Sequence, residues 1–371
     1  MTELNLAGVQ QVELRNIEKA LRSMWGATAS AEDAEKAAPV IRACALNLVV
    51  YVADKTGLSR MLEAIDQVSL SNPNRAIVLV IDSEKKGAEL ATYIKSVCRL
   101  PDTSGRKLCC EQIVVVGGPE SSGVIHSAID PLLAPDLPVY LWWNYRPEFE
   151  GPMFERFTRV ADRLVVDSDL FNRGDFQRLA EFVSRGSKDL VVSDLNWGRL
   201  TRWRQILAQF YDSPRYRAHL DRLQRVEMEC TSGSPLPVRV LLLAGWLACR
   251  LGWTPEGGIE QKENRYHARF TATTGNISLS LGVLSGKGED CAISCIRLHT
   301  ASGALFESRK PSGSGFAEST VQLPGAGSEV SVGKMPNIAL EEILSRELEV
   351  LARDRVYEEA LQVTSRLLLE G

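Results

Sequence analysis

Histidine is scarce in this chain, with four in 371 residues. None has the His-x-x-x-His or His-Glu-x-x-His spacing that sets two imidazoles on one helix face for a metal. No Gly-x-Ser-x-Gly elbow is present, and no cysteine sits in a recognised nucleophile motif. These absences remove the familiar hydrolase and metalloenzyme signatures, so no catalytic residue, metal or cofactor is expected. A basic field is also lacking: 43 Lys and Arg stand against 47 Asp and Glu, for a net charge of -4. That balance argues against a nucleic-acid partner. The opening residues Met1-Thr-Glu-Leu-Asn show no basic segment followed by an apolar core. The longest apolar run, Val240 to Cys249, falls well short of the roughly 20 residues that span a bilayer. The expectation is a cytoplasmic protein with no membrane partner.

Internal repeats and low-complexity tracts are missing too. What remains is 44% hydrophobic and 24% charged, an ordinary globular composition. The length exceeds what one core usually serves, which predicts two domains.

The eight cysteines are scattered, which in such a chain reads as buried thiols and not as a disulfide framework. Cys109 and Cys110 are adjacent, where a bridge would strain the backbone. Cys291 and Cys295 fall on one face of an expected strand, about 13 Å apart at strand rise, beyond the roughly 7 Å limit for a disulfide. These four are the redox candidates, and a redox role requires one of them to meet a distant cysteine.

Strands and helices alternate through the first half. Apolar periodicity predicts a helix around 9–25, a connection at 27–37, a strand at 44–52 and a helix from Leu58 to Val68 that Ser71-Asn-Pro-Asn breaks. Ala76 to Asp82 and Gln112 to Gly117 read as buried strands, Leu90 to Leu100 fits either state, and Ser122 to Leu133 is helical. A helix at 152–161, a strand at 163–166, a helix at 175–183 and a strand at 189–193 continue the order. Near-continuous apolar strands separated by helices describe a parallel sheet covered on both faces. The expected fold is therefore α/β, with a Rossmann-like N-terminal domain at 1–213.

Residues 194–212 read as one helix whose first turns carry Arg199, Arg202 and Arg204, against the macrodipole, so an acidic partner is expected. A C-terminal α+β domain at 214–371 follows. It has a buried helix at 237–251, an antiparallel sheet within 264–323 with turns at Ser285-Gly-Lys-Gly and Ser312-Gly-Ser-Gly, and two terminal helices at 340–351 and 356–369.

The most informative stretch is Asp136 to Phe149. Val139 to Trp143 form a strand, and Asn144-Tyr145-Arg146-Pro147 turns the chain at its carboxyl end. Alternation sends Trp142 and Trp143 into opposite layers as core. Tyr145 and Arg146 lie past the strand end and are the better partner-binding candidates. Asn196, Trp197 and Arg199 follow another strand of the same expected sheet and join them. The rival reading is an enzyme that binds a sugar phosphate or nucleotide through the Gly117-Gly118-Pro119 turn. That turn is neither Gly-x-Gly-x-x-Gly nor a P-loop, and Glu120 puts negative charge where a phosphate would sit.

Leu137-Pro-Val-Tyr-Leu-Trp-Trp143, Asp194-Leu-Asn-Trp-Gly-Arg-Leu-Thr-Arg-Trp-Arg204 and Cys110-Glu-Gln-Ile113 resemble the OpcA family, the glucose-6-phosphate dehydrogenase assembly proteins of cyanobacteria and actinobacteria. The likeness spans almost the whole chain. It implies a non-catalytic partner of glucose-6-phosphate dehydrogenase in the oxidative pentose phosphate pathway. Such a partner favours the active oligomer of that enzyme and raises its apparent affinity for glucose 6-phosphate. The resemblance also brings in thioredoxin as a second partner, through redox control known among cyanobacterial members.

Overall fold

The computed structural model describes residues 9–27, 40–55, 57–99, 107–186, 190–233, 237–263, 265–285 and 291–369. Its helices are α1 (Ile17–Ala27), α2 (Leu58–Ser71), α3 (Ser122–Ile129), α4 (Pro152–Val160), α5 (Arg173–Arg185), α6 (Leu195–Arg199), α7 (Thr201–Gln209), α8 (Pro214–Arg217), α9 (Val238–Leu251), α10 (Leu340–Glu349) and α11 (Arg355–Leu367). Two compact units divide the chain. One holds Met1–Asp167, Ser187–Ser193 and Ala339–Ala352, and the other Ser168–Gly186, Asp194–Ile338 and Arg353–Gly371. The single cut expected near residue 213 is thus replaced by interleaved segments, because α5 and α11 join the second unit while α10 joins the first.

In the first unit the strands are β1 (Gln10–Gln11), β2 (Val40–Arg42), β3 (Leu46–Val52), β4 (Asn74–Ile81), β5 (Ala91–Arg99), β6 (Lys107–Gly117), β7 (Val139–Asn144), β8 (Arg163–Val166) and β9 (Val191–Asp194). They lie in the order β1-β5-β6-β4-β3-β7-β8-β9, with β2 beside β6. β6, β4, β3, β7 and β8 run parallel. Their apolar runs leave Leu48, Val50 and Ile77 to Val80 fully buried, as a sheet covered on both faces demands. Without β1, β2 and β5, the order is the 3-2-1-4-5-6 of a doubly wound nucleotide-fold sheet. α2 buries Leu58, Met61, Leu62, Ile65 and Val68, the i, i+3, i+4 stripe of an amphipathic helix, each large apolar side chain contributing about 1.5–3 kcal/mol. It stops at Asn72, whose backbone is extended because Pro73 follows.

The helix expected from residue 9 starts only at Ile17, since Gln10 and Gln11 pair with β5. The ambiguous stretch at 90–100 is β5, antiparallel to β6, and the connection at 27–37 lies, beyond Ala27, outside the described residues. Inside the sheet Arg75 meets Glu111 at 2.8 Å, both nearly inaccessible. Arg75 also reaches Glu18 at 2.8 Å and the Leu132 carbonyl at 2.7 Å. A buried guanidinium is tolerated only when surrounded in this way.

The second unit holds β10 (Leu223–Ser232), β11 (Thr254–Pro255), β12 (Glu260–Lys262), β13 (Arg265–Ala272), β14 (Gly275–Ser285), β15 (Ala292–Thr300), β16 (Leu305–Arg309), β17 (Phe316–Gln322) and β18 (Ser328–Lys334). The order is β11-β13-β14-β10-β15-β16-β17-β18, with β12 beside β13. All pairs are antiparallel except β10 with β14. The sheet is wider than the expected 264–323, since β10 forms its centre and β18 its edge. Of the two expected turns, the one after Ser285 lies outside the described residues, and the one at 312–315 is present.

One sheet face is apolar and covered. Phe306, fully buried, is ringed by Phe210, Tyr211 and Tyr216 at centroid distances of 5.1–5.8 Å. α9 is apolar nearly all round and packs closely on α11, with Gly245 facing Thr364.

Candidate functional site

In the first unit the chain leaves β3 toward β4 on one side and later returns to place β7 on the other. The loops after β3 and β7 therefore diverge at the carboxyl edge, the switch point at which open α/β sheets meet their ligands. Four rings build one wall. Tyr51 stacks on its cross-strand partner Trp143 with centroids 3.9 Å apart, Trp143 meets Phe154 edge-on at 5.1 Å, and Phe154 meets Phe149 at 5.2 Å. Burial, then the charges of Glu148 and Tyr145, push the Tyr51 phenol up to about 12, so it stays protonated at neutral pH. Trp142 and Trp143 are both core, as alternation required. β7 runs one residue further than expected, to Asn144, and delivers Tyr145, 50% exposed, and an exposed Arg146 to the loop beyond.

The opposite wall is ionic. Lys55, in the turn after β3, reaches Asp82 at 2.9 Å and Glu84 at 3.0 Å. Asp82 Oδ1 also accepts the Glu84 amide. Burial alone would raise the Asp82 carboxyl, but the hydrogen bonds from Lys55 and the Glu84 amide outweigh it and hold the group below its ordinary range.

Two family models cover most of the chain. Residues 65–181 match the glucose-6-phosphate dehydrogenase subunit N-terminal domain and residues 190–361 the C-terminal domain. The chain belongs to the OpcA family. A protein of Nostoc punctiforme, named for OpcA of the OxPP cycle, is 30% identical over 335 residues, 81% of this chain and 66% of its own length. Its Synechocystis counterpart is 28% identical over 82% of this chain and 65% of its own length. The chain thus spans slightly under two thirds of these curated relatives. An NAD binding oxidoreductase from Klebsiella pneumoniae shares the fold, with a TM-score of 0.50 at 10% identity, covering 87% of this chain and 94% of that one.

A dinucleotide does not suit this OpcA-family crevice. The first βα turn of a dinucleotide site uses glycines so that backbone amides can approach a pyrophosphate, and an acid ending the second strand takes the ribose hydroxyls. Here the turn between β3 and α2, Ala53-Asp-Lys-Thr-Gly57 in sequence, has a single glycine, directly before the helix, and the acid after β4, Asp82, is already bound by the ammonium of that same turn. The Gly117-Gly118 turn is also filled by its own chain. A Cβ on Gly117 would lie 2.0 Å from Ser121 Oγ, and one on Gly118 2.1 Å from the Lys85 carbonyl oxygen. These glycines permit close packing, and Ser121 Oγ donates to the Gly118 carbonyl, which leaves no cradle for a phosphate.

The remaining candidates belong to the second unit, and two are not available to a partner. Asn196 is fully buried; it donates to Ser168 Oγ at 3.1 Å and accepts from Arg239 at 2.8 Å. Trp197 is 4% exposed; its indole donates to Asp354 at 2.8 Å, and the Arg204 guanidinium lies 3.4 Å from its ring centre. The reason is local: Asp194 caps α6 through the Asn196 amide, so the helix starts directly at the strand end and carries both side chains inward. The single helix expected at 194–212 is accordingly two, α6 and α7. Arg199 falls in the last turn of α6, where the macrodipole favours it, and is half-buried. The Trp197 ring and the Thr201 hydroxyl answer Arg204, and Gln205 answers Arg202.

The cysteines also differ from expectation. Cys109 is bonded to Cys98 across β5 and β6, a partner visible only once β5 is known to be an antiparallel strand. Cys110 is a buried free thiol, raised by desolvation. Cys291 and Cys295 do not share a face. β10 pairs Glu229 with Cys295 but Cys230 with Ile293, so a bulge at Ser294 turns the two cysteines to opposite sides. Both are buried free thiols. Cys291 instead meets Cys230: that contact, aided by Arg239 and opposed by burial, lowers the Cys230 thiol, while the same contact together with burial raises that of Cys291 against the pull of Arg239. No group of three or more His, Cys, Asp or Glu among the described residues could hold a metal. None of the described helices is long and apolar enough to cross a membrane.

Proposed function

We propose that this chain is a non-catalytic assembly factor. It binds glucose-6-phosphate dehydrogenase, favours the active oligomer and raises that enzyme's apparent affinity for glucose 6-phosphate. The observation that carries the non-catalytic part is the Lys55–Asp82–Glu84 cluster. It ties the acid that ends β4 to the ammonium of the turn after β3, so that acid is not open to the ribose hydroxyls it would meet in a dinucleotide site. The family match supports the choice of dehydrogenase. The mechanism is linkage: a partner that binds the active state better than the inactive one shifts the population by no more than its differential affinity.

Tyr145 and Arg146 are the proposed contacts, since both are exposed past a rigid strand and both residue types are frequent hot spots. Thioredoxin, the second proposed partner, would meet the Cys98–Cys109 bridge from the Cys98 side, which is half-buried while Cys109 is not accessible. Co-purification with the dehydrogenase, followed by its glucose 6-phosphate saturation curve with and without this chain, tests the reading. A lower half-saturation point is expected, and an unchanged curve with no complex sinks it. Replacing Tyr145 and Arg146 by Ala should weaken the complex by about 2 kcal/mol or more, roughly thirtyfold.

A further inference from the structure

β18 closes one side of the antiparallel sheet, and among the described residues no further strand pairs with its outer edge. All seven of its residues, Ser-Glu-Val-Ser-Val-Gly-Lys, are exposed. A flat edge with free amides and carbonyls invites another strand unless proline or charge blocks it. Here proline is absent, and Glu329 is turned away and neutralised, bonded to Arg215 at 2.7 Å and to the Tyr216 hydroxyl. Lys334 at the strand end is the one remaining charge. Val330 and Val332 are 59% and 66% exposed and lie on the open face, in line with Thr320 and Glu318 of β17.

We propose that this edge pairs antiparallel with β18 of a second copy of the chain, about a twofold axis at Ser331. That register alone pairs all seven residues, placing Ser328 against the other copy's Lys334, Glu329 against Gly333, Val330 against Val332, and Ser331 against itself. No like charges face each other, a condition an antiparallel pair must meet. On the open face the four valines of the two copies form one apolar block bounded at each end by a Ser–Lys pair. On the other face each glutamate meets only a glycine hydrogen. The strand is therefore self-complementary in both shape and charge, which commits the edge to a second copy and not to an unrelated strand.

One strand pair with a four-valine cluster is at the low end of interface size, so association should lie in the micromolar range. Sedimentation of the full chain over a concentration series should show a reversible monomer–dimer equilibrium. Val330→Lys with Val332→Lys, both solvent-exposed positions, should weaken it by at least about tenfold. Ser331→Cys provides a readout independent of stability. Paired residues of an antiparallel ladder have Cα atoms about 4.5–5.5 Å apart, within disulfide reach. Mild oxidation should therefore give a covalent dimer that the wild-type chain does not form. A wild-type chain that stays monomeric overturns the proposal, whether or not the double lysine variant loses a dehydrogenase partner. So does a dimer that survives both lysines while Ser331→Cys stays unlinked.

Discussion

The two sheets have nine strands each among the described residues, yet they handle charge in opposite ways. The first is largely parallel, and its central parallel strands are buried on both faces. Charges inside it are enclosed, as with Arg75 and Glu111 at 5% and 3% side-chain exposure. The second alternates, with Val226, Met228, Ile296 and Leu298 buried on one face. Its other face carries Arg225, Glu227, Glu229, Arg297 and Glu307, in ion pairs whose side chains stay 21–53% exposed. A doubly covered sheet can meet partners only where its strands end, whereas a half-covered one can also offer a face and an edge. That is why the proposed dehydrogenase contacts lie on a loop after β7, and the proposed contact with a second copy on β18.

The comparison breaks most readily at matched ion pairs. Glu111→Gln should destabilise by about 3–5 kcal/mol in urea unfolding, because Arg75 would stay buried with its main counter-charge gone. Glu307→Gln should cost about 1 kcal/mol or less, since Arg297 keeps Glu229 at 2.9 Å and water screens the remainder. Equal losses would mean that the two sheets do not differ as burial says.

The same contrast decides what could be read in advance. β3, β4, β6 and β7 are short apolar runs that hardly fit anything but buried strands, so the parallel sheet was legible. β10, the centre of the other sheet, was not. Its charged residues, Arg225, Glu227 and Glu229, alternate with Val226, Met228 and Cys230, so no continuous apolar run marks the strand. β5 was ambiguous for a related reason, because its burial alternates with that of an edge-like strand. At the candidate site, the core role of Trp142 and Trp143 followed from strand alternation alone. Asn196 and Trp197 misled, because a place directly after a strand suggests the open carboxyl edge, and only the Asp194 cap and the contacts of Arg239 and Asp354 turn them inward. The Lys55–Asp82 pair left no local trace, since its members are far apart in sequence and meet only through the order of the strands.

Helix packing in the second unit offers a sharper measure of intermediate size. A Cβ on Gly245 of α9 would lie 2.1 Å from Thr364 Oγ1 and 2.6 Å from the Ala360 carbonyl oxygen of α11. Gly245→Ala should therefore cost about 1–3 kcal/mol, the range for overpacking a tight contact. Adding Thr364→Ala should restore only part of it, because the Ala360 carbonyl belongs to the backbone and cannot rotate away. Full restoration would locate the tightness in the side chain and not in the approach of the two helices.

The smallest effect belongs to the open face and is a pH dependence. Burial, then the neighbouring Arg225, pull the His299 imidazole below its ordinary range; Arg297 adds to this, and Glu227 at 3.6 Å offsets part of it. The folded chain thus holds this proton less tightly than the unfolded one, whose histidine titrates near about 6.5. Stability from this group is fully present above that value and falls as pH drops through it toward the lower folded value. His299→Gln should flatten the decline between about pH 7 and pH 5 without changing stability above it. Melting temperatures of the two chains across that window would show it. A wild-type curve that rises as pH falls would mean that Glu227 wins over burial, and that the open face is wetter and more acidic than its ion pairs indicate.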